Sequence, residues 1–71
     1  MKKRVVILGA GESGTGAAIL AAKQGFEVFV SEYGTIKDKY RDELEHHLIP
    51  FEEGGHTEKL VLNADIMIKS P

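Results

Sequence analysis

The sequence predicts an α/β domain built on one parallel sheet, and three observations carry that expectation. Val5-Val6-Ile7-Leu8, four consecutive apolar residues, run straight into Gly9-x-Gly11-x-x-Gly14 and then into a helical pattern. Strand-like and helix-like stretches alternate along the whole chain in the order βαβαβαβ, which calls for right-handed crossovers between parallel strands. Ile66-Met67-Ile68 close the pattern with a second continuously apolar run of the kind found in strands buried on both faces. Together they specify a Rossmann-like, three-layer architecture with strand order 3-2-1-4, the first strand central and the glycine turn at the topological switch point.

Each element has its own warrant. Val5–Leu8 are β-branched or aliphatic and end at glycine, as a short buried strand does. In the turn, Gly9 permits a tight bend, Gly11 removes a Cβ where backbone would approach a diphosphate, and Gly14 lets the helix lie close to the strand. The helix start offers free N–H groups and about half a unit of positive charge to an anion. Glu12 sits where that anion would bind, so its side chain must turn to solvent. Ser13 and Thr15 can donate to a phosphate or cap the helix. Such a turn also occurs with no ligand at all. A Walker loop is excluded, because Thr15-Gly16 follow Gly14 where Lys-Ser/Thr would be required.

Gly14, Ala17, Ala18 and Ala21 give the first helix a narrow face that can press on the sheet, and Gly25 is its expected stop. Phe26–Val30 form the second strand, which ends at Ser31-Glu32-Tyr33-Gly34. Thr35 is placed to cap a second helix over Ile36–Leu48, with Ile36, Tyr40, Leu44 and Leu48 as its buried stripe. Ile49–Glu53 read as a short edge strand that tolerates Pro50. Gly54-Gly55 form a turn, Thr57 caps a short third helix through Leu62, and Ile66–Ile68 make the fourth strand.

Composition narrows the function. Seventy-one residues make one small domain, 1–71, near the lower limit for an independent core. A net charge of −2 gives no footprint for nucleic acid or an anionic membrane. The basic opening Met1-Lys2-Lys3-Arg4 precedes only four apolar residues, too few for a secretion signal, and no stretch reaches the roughly 18–20 needed to span a bilayer. Without cysteine there is no disulfide or thiolate metal site, which fits the cytoplasm. His46 and His47 point about 100° apart on a helix and cannot share a metal, and His56 has no partner at ligand spacing. No catalytic or metal constellation is readable. Glu32, 18 positions after Gly14, stands where a Rossmann acid accepts hydrogen bonds from a ribose diol or a nucleobase N–H.

Val5–Gly14, Val30-Ser31-Glu32 and the ending Asn63-Ala64-Asp65-Ile66-Met67-Ile68-Lys69-Ser70-Pro71 resemble the N-terminal domain of the Mur ligases, above all the branch that joins D-glutamate to UDP-N-acetylmuramoyl-L-alanine. The G-x-G-x-S-G loop and the A-D-x-x-[IV]-x-S-P ending are its most telling parts, and the likeness covers the whole chain. It implies a cytoplasmic enzyme of peptidoglycan synthesis whose first domain holds UDP. The central domain would bind ATP and magnesium and the last domain the incoming amino acid, and neither lies within this sequence. By resemblance, backbone N–H groups near Glu12 and Ser13 face the diphosphate and Glu32 contacts uracil. Tyr33 and Gly34 stand where the family often has a hydroxyl and a basic residue, and Gly54-Gly55 and Ser70-Pro71 align with loops of the same cleft. Residues 5–32 alone also suit an NAD(P)-binding domain of an oxidoreductase or an NAD-sensing module. Against that stands length, since a dinucleotide needs a second mononucleotide half. A ligand-free interaction module is a third reading. The fourth strand, with only Lys69 to protect it, is further expected to support self-association.

Overall fold

The computed structural model describes residues 2–70; Met1 of the basic opening and Pro71 of the last turn lie outside it. Its elements are β1 Arg4–Leu8, α1 Glu12–Lys23, β2 Glu27–Glu32, α2 Asp38–His46, β3 Phe51–Glu53, α3 Glu58–Val61 and β4 Ile66–Lys69. All strand pairs are parallel, as the alternation requires, and the sheet order is β3-β2-β1-β4. Register places Val5 opposite both Val28 and Ile66, and Leu8 opposite Ser31 and Lys69. The carboxyl ends of the three longest strands therefore finish side by side.

The period of two splits the core into unequal layers. Val5, Ile7, Val28 and Val30 face α1 and α2 and pack with Ala10, Ala18, Ile36, Leu44 and Ile49. On the opposite face Val6 and Phe29 meet Val61, with Leu8 and Ala64 partly covering them, under a helix of four residues. One side of the sheet is thickly covered and the other thinly.

Both longer helices end in the same six-residue closure. After α1, Gly25 N–H donates to the Ala22 carbonyl and Phe26 N–H to Ala21, with Gly25 at φ 92°. After α2, Leu48 N–H donates to Glu45 and Ile49 N–H to Leu44, and the left-handed position is held by Leu48 at φ 57°. Leu48 is thus not the last buried residue of a helical stripe, as its spacing predicts, but is 90% exposed. Buried Leu44 and Ile49 supply the apolar contact that accompanies the closure.

Two starts also differ from expectation. Helix α2 begins at Asp38 with Lys37 as its N-cap, so exposed Thr35 caps nothing and Ile36 is buried from the preceding loop. What holds Ile36 there is Glu53, which accepts its N–H at 2.8 Å and pairs with Arg41 at 2.7 Å. Thr57 precedes α3 without capping it through its side chain; its hydroxyl donates to Glu52 instead. Strand β4 departs from the buried-on-both-faces expectation: Ile66, Met67 and Ile68 are 40%, 45% and 37% exposed. Continuous apolarity marks a strand with two apolar faces. It does not say how many neighbours cover them, and here β4 pairs with β1 alone among the described residues.

Candidate functional site

The β1–α1 turn follows from three glycines with three different reasons. Gly9 has φ 107°, a left-handed conformation that a side chain would strain, and its N–H is fixed by the Ser31 carbonyl at 2.9 Å. Gly14 is buried, and a Cβ built on it would lie 2.0 Å from the Gly9 carbonyl oxygen and 3.3 Å from Ser70 Cβ. Both glycines are demanded by packing. Gly11 is not. Its φ is −81°, any residue could adopt its backbone, and a Cβ there would meet nothing within 4 Å. The space above Gly11 is empty, and it opens onto the N-terminus of α1, which no side chain caps.

Beside that turn lies a cleft of about 220 Å³ lined by Ala10, Gly11, Glu12, Glu32, Thr35, Lys37 and Tyr40. The last residue of β2, Glu32, forms one wall. Its Oε1 accepts the Ala10 N–H at 2.7 Å and its Oε2 the Gly34 N–H at 2.8 Å, so one carboxylate ties the glycine turn to the turn after β2. Each oxygen keeps a further lone pair for a ligand donor. Beneath the turn, buried Thr15 donates its hydroxyl to the Ala10 carbonyl at 3.3 Å, which makes it a brace of the loop.

The expected site residues fall into three groups. Gly11, Glu12 and Glu32 line the cleft, with Ser13 exposed in the first turn of α1. Gly9, Gly14 and Ser70 pack together behind it, and Ser70 N–H donates to the Leu8 carbonyl at 2.8 Å. Tyr33 and Gly54 do not line the cleft. Tyr33 is 76% exposed with its ring 6.0 Å from that of His56, while Gly54 at φ 81° donates to the Gly34 carbonyl and joins the turns after β2 and β3.

Lys37 and Tyr40 belong to the cleft, although neither is marked by a sequence motif. Only the closure of the β2–α2 connection against α1 brings them there. The turns after β2 and β3 are also tied through buried Ser31, whose hydroxyl lies 2.8 Å from Glu52 Oε2 and 2.5 Å from His56 Nδ1. Burial pushes the Glu52 carboxyl up, but donation from Thr57 N–H, Thr57 hydroxyl and Ser31, with the nearby His56, outweighs it and leaves Glu52 below its ordinary value. An ionised Glu52 only accepts, so the single Ser31 proton goes to it and His56 must donate from Nδ1. Among the described residues no three His, Asp or Glu side chains converge on a metal position.

A parallel sheet with its glycine turn at the switch point and an acid at the end of the neighbouring strand defines a Rossmann-like domain. Residues 4–71 match the family model described as the MurD N-terminal domain, and the chain belongs to that family. It is 67% identical over 69 residues to the UDP-N-acetylmuramoylalanine–D-glutamate ligase of Bacteroides thetaiotaomicron, covering 97% of this chain. The ligases of the same name from Porphyromonas gingivalis and Cytophaga hutchinsonii are 56% and 44% identical over all 71 residues. In each case the chain spans 16% of the relative's length.

Proposed function

We propose that this chain, residues 1–71, forms the N-terminal domain that holds the UDP moiety of UDP-N-acetylmuramoyl-L-alanine within an ATP-dependent, D-glutamate-adding ligase of peptidoglycan synthesis in the cytoplasm. The observation that carries the reading is the empty space over Gly11, a glycine that neither backbone conformation nor packing requires. A diphosphate laid against that backbone would meet the uncapped N–H groups of Glu12 and Ser13 and the positive end of α1. The free lone pairs of Glu32 would accept from ribose hydroxyls or the uracil N–H.

The work of these residues is to bind and orient. The donor set does not fit magnesium and ATP, since among the described residues no acidic cluster converges and Thr15-Gly16 stand where a phosphate-gripping lysine would be needed. Their chemistry is assigned to the remainder of a longer protein, and the chain alone is expected to show neither ligase nor ATPase turnover. The test is titration with UDP and with NAD, followed by amide NMR. The reading expects UDP to shift Gly11–Gly14 and Glu32. Shifts with NAD and none with UDP at equal concentration would replace it by the oxidoreductase alternative.

A further inference from the structure

We propose that Lys37 is the cation that receives the diphosphate across the cleft from Gly11, an inference that rests on the UDP-binding reading above. Two acidic residues, Glu12 and Glu32, already line the cleft. Glu32 also consumes the Ala10 N–H, one of the backbone donors the turn could have offered an anion. A ligand carrying two or more negative charges therefore enters a site whose side chains repel it, unless a cation lies within reach. The one basic residue among those that line the cleft is Lys37.

Its surroundings leave it available. Arg4 is paired with Glu27 at 2.6 Å and lies over the Phe29 ring, and Arg41 is paired with Asp38 and Glu53. Lys37 makes no ion pair and no side-chain hydrogen bond among the described residues. Its backbone, by contrast, is fixed, because its carbonyl accepts both Tyr40 N–H and Arg41 N–H at 3.0 Å. The ammonium thus swings on a rigid root at the cleft wall.

Local energetics oppose a lysine at this position. It is the N-cap of α2, where Ser, Thr, Asp or Asn would bond the free N–H groups and where the helix dipole repels a positive charge. A residue that breaks its local rule without a visible structural return is a mark of function.

The experiment compares UDP and uridine binding, by amide shift titration, in the chain and in Lys37→Met, Lys37→Ser and Lys37→Arg. Lys37→Met and Lys37→Ser should weaken UDP about tenfold or more, the scale of a charge-assisted contact, and leave uridine unchanged. Lys37→Arg should stay within about threefold, since it keeps the charge. Lys37→Ser should at the same time raise the unfolding midpoint by a few degrees, because serine caps α2. Stability and UDP affinity then move in opposite directions, which a merely structural lysine would not produce. Unchanged UDP affinity in Lys37→Met, with Gly11 and Glu32 still shifting, overturns the role of Lys37 and leaves the UDP reading standing. No shift at Gly11–Gly14 and Glu32 in the unaltered chain overturns both.

Discussion

Gly14 lies so near Gly9 that a single β-carbon on it would come within 2.0 Å of the Gly9 carbonyl oxygen. That atom is backbone and cannot swing aside, so α1 and the end of β1 would have to part. Gly14→Ala should cost more than about 3 kcal/mol, a large share of what a core this small can supply. Thermal or urea unfolding measures it, and a midpoint within a degree of the parent would refute the packing argument.

Gly11→Val is the counterpart with the opposite split. Its Cβ enters open space at an ordinary φ, so stability should stay within about 0.5 kcal/mol. UDP binding should be lost, because the branched side chain occupies the room above the turn. Retained UDP shifts in the folded variant would count against this position for the diphosphate.

Leu48→Gly should stabilise the chain by about 1 kcal/mol. The leucine holds a left-handed φ of 57° while 90% exposed, so glycine relieves strain and gives up almost no packing. A lowered unfolding midpoint would show that the leucine contributes something beyond its backbone.

Acid should unfold the chain partly through Glu52 and Glu53. Burial raises Glu52, but the donors around it leave it below its ordinary 4.5. Glu53 is lowered first by the Ile36 N–H, then by Arg41. A carboxylate with a lowered folded pKa contributes stability above its unfolded value, and that contribution is lost as pH falls through the folded one. The midpoint should therefore hold from pH 7 to about 5 and drop below 4.5, with a shallower drop in Glu52→Gln. Equal acid slopes in parent and variant would remove Glu52 from the account.

Strand β4 presents three partly exposed apolar side chains on a strand paired with β1 alone among the described residues. Pairing with a second copy would bury them, so sedimentation should show association rising with concentration and reduced by Met67→Lys. A chain that stays monomeric into the millimolar range would show that Lys69 is defence enough.

The sequence made the sheet and the glycine turn legible because both rest on neighbours in the chain. Val5–Leu8 and Gly9, Gly11 and Gly14 state their roles within ten residues of one another. Glu32 was legible by its distance from Gly14, though not that it would clamp Ala10 and Gly34 at once. Lys37, Tyr40 and the Ser31–His56 contact were not, since each depends on how the connections after β2 and β3 fold back over the sheet. Leu48 failed for a local reason: four-residue spacing continues past the point where Leu44 and Ile49 close the helix.

The thin face of the sheet sets where the molecule breathes. Helix α3 is one turn long and anchors itself through Val61, so α3 and β4 should open as a unit well before β1 and β2. Amide exchange would then be fast at Leu60–Lys69 and slow at Val5–Ile7 and Val28–Val30. That unit carries Ser70, which stands against Gly9 and Gly14. Each opening of the weakest part of the sheet thus removes a wall from behind the glycine turn, and a ligand that steadies the turn should slow exchange on a strand it never touches.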